Sequence, residues 1–183
     1  DGTSLEIIIN DINRAYSGET LKKEEYTSYE LALDNRDALN GDTYKNAEDY
    51  YKSVFEKAGG SIAFYPDKSG AVPTAEMYHR EVSEISVQSV KDFCKKNGIT
   101  ENVFFIAAFG LTLGKYNFKE NAVFTTIYHG RNDSRLSDTV GMLVKTLPVY
   151  CDFSGQTREY LADVQQQLMD SMNNDIYPFS QIS

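Results

Sequence analysis

The sequence predicts an α/β fold in which helices pack in layers on a sheet. Apolar residues recur at helical spacing in the first third of the chain, and strand-like and helical segments then alternate. The composition supports an ordered fold, because 41% of the 183 residues are hydrophobic and only 25% are charged. A chain of this length forms one substantial domain or a large piece of a bigger one.

Two helices are predicted before residue 61. The first starts with a capping-box pattern, Thr3 with Glu6, and ends at Gly18 after an apolar stripe of Leu5, Ile8, Ile9, Ile12 and Tyr16. The second stops at Gly59-Gly60 and carries a stripe of Ala47, Tyr50, Tyr51, Val54 and Phe55. The polar residues 21–39 have a helical tendency, and residues 61–76, with two prolines, predict an exposed connection.

The remainder predicts three strands and three helices. The strands are residues 77–85, 121–130 and 148–153, with a loop at 131–138 and an apolar stretch with one glycine at 139–147. Ser86 and Thr100 are expected to cap two helices, the first ending at Gly98 and the second apolar almost all round and therefore central and buried. Inward positions of the first are Val87, Val90, Phe93 and Cys94. Thr157 is expected to cap the last helix, which carries Leu161, Val164, Leu168 and Met172.

Charge and cysteine content narrow the possible partners and the compartment. The formal net charge of −9 argues against binding to nucleic acid or to an anionic membrane surface, and the longest apolar run is too short to span a bilayer. Cys94 and Cys151 have no metal-ligand spacing, so we expect two buried free thiols of a cytoplasmic protein.

No self-contained catalytic motif is visible in the sequence. There is no glycine-rich phosphate loop, no HExxH pair and no nucleophile elbow. His79 is expected to be a half-exposed strand residue. His129 ends a strand and precedes Gly130-Arg131, where ligand groups tend to gather, but a structural role is favoured over that of a general base.

Several short segments in a fixed order resemble a known family. They are Asp1-Gly2 before a helix ending YSG, then FFIAAFGLTLGKY, TTIYHGR, TVGMLVKTLP and NDIYPF. This series resembles the condensation domains of nonribosomal peptide synthetases, which belong to the chloramphenicol acetyltransferase-like acyltransferases. The resemblance is weakest at residues 21–73. It implies a layered sandwich of helices on a mixed sheet, with residues 1–20 as the helix after the catalytic loop and residues 21–183 as an incomplete C-terminal lobe.

The resemblance also implies roles for individual residues. Asp1-Gly2 looks like the end of the family signature HHxxxDG, whose second histidine would lie four residues before Asp1, so no catalytic residue is expected in this chain. Asp1 would be structural and paired with Arg131, because an unpaired buried carboxylate costs several kcal/mol. Gly2 belongs to the same structural set. The residues expected to line the substrate tunnel are Tyr128, His129, Gly130, Gly141 and Lys145.

Two of these segments, and a third segment, YTSYELA at residues 26–32, depart from the family motifs. TVGMLVKTLP resembles [IV]GxFVNTLP but has Lys145 in place of the asparagine, and Tyr150 where an arginine often follows. NDIYPFS resembles [HN]QDxPFE, with matches at Asn174, Pro178 and Phe179 and departures at Asp175, Ile176 and Ser180. YTSYELA is a degraded form of YxDFAxW in which Tyr26 and Tyr29 fit.

The resemblance implies an amide-bond-forming acyl transfer. The family joins a donor and an acceptor aminoacyl thioester, each carried on the phosphopantetheine arm of a carrier-protein domain, and an adenylation domain would be adjacent. No cofactor or metal would bind this chain directly. The chain alone is expected to be inactive.

Three alternatives remain open. An epimerization domain shares HHxxxDG and carries an EGHGRE-like stretch, of which HGR is present here, but the glutamate is absent and GMLVKTLP fits condensation domains better. A non-catalytic docking or recruitment domain of the same fold would tolerate the departures at Lys145 and Ser180. The third alternative is an unrelated α/β binding module.

Overall fold

The computed structural model describes residues 1–59 and 76–182. Five helices precede the first strand: α1 (Gly2–Tyr16), α2 (Ser28–Ala38), α3 (Asp42–Ala58), α4 (Val87–Asn97) and α5 (Glu101–Tyr116). They are followed by β1 (Asn121–Tyr128), a 3₁₀ turn (Ser134–Leu136), β2 (Lys145–Asp152), α6 (Thr157–Asn173) and the short α7 (Phe179–Ile182). The connection expected at residues 61–76 falls almost entirely outside the described residues.

Strands β1 and β2 pair in one sheet. Glu120 O accepts a hydrogen bond from Phe153 N at 3.0 Å beyond one end, and Gly130 packs against Leu143 beyond the other, so the strands are antiparallel. The predicted α/β class, with helices on a small sheet, is therefore confirmed.

The strand predicted at residues 77–85 is wrong. This segment is coil, with His79 exposed, and so are the apolar residues on which the alternation rested: Met77, Tyr78, Val82 and Ile85. An extended segment is stabilised by hydrogen bonds to a neighbouring strand, and within the described residues it pairs with neither β1 nor β2. The sheet of the described chain therefore has two strands where the pattern predicted three.

Capping side chains set helix starts as predicted at two of four positions. Thr157, which was predicted to cap the last helix, is instead the first residue of α6. Ser86 accepts from Ser89 N at 3.1 Å, and Thr100 accepts from Val103 N at 3.2 Å. The predicted Thr3 cap is wrong, because Asp1 caps α1 and accepts from Ser4 N at 2.8 Å. A carboxylate is at least as good a cap as a threonine, and its charge interacts favourably with the positive end of the helix.

The described chain divides into two compact units. The first comprises residues 1–54, 125–148 and 170–183, and the second comprises residues 55–124 and 149–169. Residues 1–20 share a unit with residues 21–54, so the boundary predicted after residue 20 does not separate these units. As a boundary between lobes of a larger fold it stays a prediction.

The second unit has an apolar core formed by α4, α5, α6 and the strand segments of that unit. Tyr160 on α6 donates to Ala107 O on α5 at 2.6 Å inside this core. Helix α5 was predicted to be central and buried, but Phe105, Phe109 and Leu111 are exposed, so one face of the helix is covered in the described part of the chain. Both cysteines are buried free thiols, as predicted, and burial raises the pKa of Cys151 to about 11.

In the first unit, α3 is tied to the end of α6. The Tyr51 hydroxyl donates to Ser171 O at 3.0 Å, and Ala47 and Val54 on the same face are buried as the stripe predicted. The apolar stripe of α1 is at the surface of the described chain, with 41–59% of each aliphatic residue exposed. Across residues 1–59 and 76–182, no helix is long and apolar enough to cross a membrane.

Candidate functional site

The Asp1 carboxylate is the centre of a buried polar cluster. Its Oδ1 accepts from Ser4 N at 2.8 Å, and its Oδ2 accepts from Leu143 N at 3.0 Å. Arg131 Nη2 lies 3.3 Å from Oδ1, and the Arg131 and Asp1 side chains are only 7% and 2% exposed. The structure thus contains the ion pair predicted between these two residues.

The Arg131 guanidinium reaches three further acceptors. Nη1 donates to Leu136 O at 2.6 Å and to Thr139 O at 2.9 Å, while Nη2 donates to the Ser4 hydroxyl at 3.0 Å. Within the described residues only its buried Nε lacks a partner. Because a buried ion pair is stable only when its remaining donors and acceptors are satisfied, these bonds account for its persistence away from water.

Sequence reasoning missed the role of the buried Ser4 hydroxyl. It donates to Gly141 O at 2.7 Å and accepts from Gly141 N at 3.0 Å, so it joins α1 to the segment before β2. With Arg131 as a second donor, the hydroxyl uses its proton and both lone pairs. The one available signal was a polar residue at the helical spacing of the apolar stripe, four residues before Ile8.

Two glycines permit the close backbone approach around this cluster. Gly130 has φ +68°, and a Cβ there would collide with the carbonyl of Leu143. A Cβ on Gly141 would lie 2.9 Å from Ser28 Cβ. Gly2, in contrast, is exposed, and a Cβ there would meet nothing within 4 Å. The glycines at positions 130 and 141 are thus required sterically, whereas the one at position 2 is not.

Tyr128 and His129 differ in burial although they are adjacent. Tyr128 is buried, and burial together with the nearby Asp175 carboxylate raises its pKa to about 12. His129 is exposed, and its Nδ1 accepts from Arg131 N at 2.9 Å. This local bond fits the structural role favoured for His129 and also fixes the backbone that carries Arg131.

Lys145 faces a different part of the first unit. Its Nζ lies 3.0 Å from Asp175 Oδ1 and donates to Asp175 O, also at 3.0 Å. Both residues line a cleft of about 540 Å³, whose other walls come from α2, residues 144–147 and the turn 176–178. Of the five residues predicted to line a tunnel, Lys145 is the one that contributes to this cleft in the described structure.

Comparison with known proteins decides the family. The sequence model of the condensation-domain family, described as "Condensation domain", matches residues 1–183. The chain belongs to this family. It is 27% identical to nonribosomal peptide synthetase sidC of Arthroderma benhamiae over its whole length, but it spans only 4% of that relative.

Solved structures show that the fold is shared. The SgcC5 protein of Streptomyces globisporus matches with a TM-score of 0.80 at 22% identity, covering 100% of this chain and 43% of the other. The first condensation domain of the calcium-dependent antibiotic synthetase matches with a TM-score of 0.75 at 12% identity, covering 99% and 42%. The resemblance found in the sequence is therefore confirmed and an unrelated binding module is excluded. The roles of single residues in the condensation domain stay predictions.

Proposed function

We propose that this chain is part of a nonribosomal peptide synthetase condensation domain that forms an amide bond between two carrier-bound aminoacyl thioesters. Membership of the family and the similarity to synthetases support it. The observation that carries it is the buried Asp1–Ser4–Arg131 cluster, which joins Asp1-Gly2, HGR and TVGMLV, three of the segments that resemble family motifs.

The reaction requires positioning and one proton transfer. The acceptor amine attacks the carbonyl carbon of the donor thioester, so a C–N bond forms, the C–S bond breaks and the amine proton is transferred overall to the departing thiolate. The thiol belongs to the phosphopantetheine arm of a carrier-protein domain. Under this proposal the motif histidine, four residues before Asp1 in the natural polypeptide, accepts or orients the amine hydrogen.

The contribution of Asp1 is to position that histidine loop. Its carboxylate is held by Ser4 N, Leu143 N and Arg131, which fixes the residue at which the loop enters α1. The reaction rate falls steeply when a reacting group is displaced by about 1 Å. A rigid support next to the loop therefore favours catalysis under this proposal.

The partners follow from the same proposal. Carrier-protein domains would deliver both substrates, an adenylation domain would be adjacent, and the chain itself would bind no cofactor. Two buried free thiols fit a cytoplasmic synthetase.

The test is a condensation assay with the natural polypeptide that carries this chain. Donor and acceptor carrier proteins are loaded with aminoacyl groups, and the dipeptidyl thioester is measured by mass spectrometry. We expect product that disappears when the motif histidine is replaced by alanine. No product with loaded carriers and an intact histidine would contradict the proposal.

The same assay separates the alternatives. An epimerization domain would invert the α-carbon of a loaded residue without forming a new bond, and a recruitment domain would do neither. Residues 1–183 alone are expected to form no product.

A further inference from the structure

Lys145 and Asp175 hold the turn after α6 against the start of β2. The ammonium of Lys145 engages Asp175 twice, through the carboxylate and through the backbone carbonyl, each at 3.0 Å. The two side chains are 32% and 24% exposed, so the pair lies at the edge of the cleft and is partly shielded from water. A two-point contact fixes both the side chain and the backbone of the turn.

Both residues stand where the chain departs from the family motifs. Lys145 takes the place of the asparagine in [IV]GxFVNTLP, and Asp175 takes the place of the glutamine in [HN]QDxPFE. Either charge alone would be new at this wall of the cleft. Because the two residues have opposite charge and contact each other, each neutralises the charge that the other introduces.

Because their surroundings differ, the loss of Lys145 should have a larger effect than the loss of the Asp175 carboxylate. The Asp175 carboxylate is close enough to raise the pKa of two buried phenols, Tyr51 and Tyr128, although burial is the larger cause for each. Without Lys145 this carboxylate would lose its counterion and remain beside two buried, neutral phenols that do not offset its negative charge. Without the carboxylate, Lys145 could still donate to the carbonyl of residue 175.

We infer that Lys145 and Asp175 are a compensated pair of positioning residues, which fix residues 174–178 along the cleft and so set the fit of a carrier-bound substrate. The pairing itself rests on the contacts, whereas the effect on substrate fit rests on the proposed function. Lys145 is held by Asp175 and is not a proton acceptor in this assignment.

The structural test is hydrogen exchange of backbone amides 175–177 in the natural polypeptide. We expect Lys145→Asn to speed exchange about fivefold, Asp175→Gln to speed it less, and the double variant K145N/D175Q to return it to within about twofold of the wild type. The matched control is R80N/E84Q, since Arg80 and Glu84 form an exposed pair outside this cleft. Single variants without effect, or a double variant as fast as the product of the two, would overturn the pairing.

The functional test measures steady-state kinetics of dipeptide formation with the same variants. We expect Lys145→Asn to raise the KM of one carrier-bound substrate about fivefold with kcat changed less than twofold, and the double variant to restore that KM. Unchanged KM in a folded single variant, with an active wild type, overturns the positioning role and leaves the proposed function intact. An inactive wild type refutes the proposed function, while the exchange measurement still decides the pairing.

Discussion

Two ion pairs in the first unit differ sharply in their surroundings. Asp1 and Arg131 are almost completely buried and have hydrogen-bond partners from α1, the 3₁₀ turn and residues 139–143. Lys145 and Asp175 are about a quarter to a third exposed, and the Lys145 ammonium contacts the carboxylate and the backbone carbonyl of the same residue, Asp175. The first pair stands at positions that match the family motifs, whereas the second stands at two departures from them.

The difference shows how burial determines what a charge pair can do. Breaking a buried pair leaves a charge with neither water nor a counterion, which costs about 3–5 kcal/mol. A partly exposed pair regains water when broken, so its loss costs about 1 kcal/mol or less. The buried pair is therefore strong enough to hold α1 against residues 131–143, whereas the partly exposed pair can be exchanged for neutral residues without loss of the fold.

The largest effect is expected for Arg131→Met. The variant leaves the Asp1 carboxylate uncompensated and removes the donors to Leu136 O and Thr139 O, so the local free energy of unfolding should fall by about 3–5 kcal/mol. Arg131→Lys should recover part of it, because one ammonium cannot reach all four acceptors. Hydrogen exchange of residues 2–8 and 139–143 in the natural polypeptide measures this loss. A change below about 1 kcal/mol in Arg131→Met would contradict it.

The next largest effect is expected where the backbone at Gly130 lies against the carbonyl of Leu143. Gly130→Ala places a Cβ on the Leu143 carbonyl at a positive φ, so we expect a destabilisation of about 2–3 kcal/mol. Gly2→Ala is the matched control, since a Cβ there meets nothing within 4 Å. Urea unfolding of both variants provides the comparison, and equal stabilities would show that the approach of residues 130 and 143 is not tight.

Tyr128 makes the stability of the first unit depend on pH. Its pKa is raised from 10.0 to about 12, so the neutral phenol is favoured in the folded state. Its contribution to stability is fully present below pH 10 and is lost as the pH rises from 10 to 12, with a slope of about 1.4 kcal/mol per pH unit. Urea unfolding between pH 9 and pH 12 should show a shallower decline for Tyr128→Phe. An identical decline in both proteins would contradict this contribution.

The smallest effect is expected for Asp175→Asn, which should change the pKa of Tyr128. Burial is the main cause of the raised pKa of Tyr128, and the Asp175 carboxylate is the second. Asp175→Asn should therefore lower the phenol pKa partway toward 10.0, as measured by ultraviolet titration with Tyr128→Phe as the reference. An unchanged pKa would mean that Lys145 already neutralises the carboxylate at this distance.

Motif and capping signals predicted much of the chain. Helix starts at Ser86 and Thr100 follow from side chains that bond within one turn, and the Asp1–Arg131 contact followed from the order of the family segments. Such signals are local or borrowed from a resemblance, so they need no knowledge of which strands pair.

The wrong predictions concern contacts with residues that are distant in the sequence. Residues 77–85 alternate like a strand but have no strand beside them in the described structure, and periodicity does not report a missing partner. The stripe of α1 has helical spacing yet is exposed here. The Lys145–Asp175 contact joins residues that sequence analysis noted separately as departures, because nothing in their spacing places them together.

A pair of double-mutant cycles measures the contrast between the two ion pairs directly. In the natural polypeptide, the coupling free energy is determined for Asp1→Asn with Arg131→Met and for Lys145→Asn with Asp175→Gln, from hydrogen exchange of the segments that each pair joins. We predict about 3 kcal/mol or more for the buried pair and about 1 kcal/mol for the partly exposed pair. Equal couplings, or a weaker one for Asp1 and Arg131, would contradict the proposal that the buried cluster is the rigid support of the site.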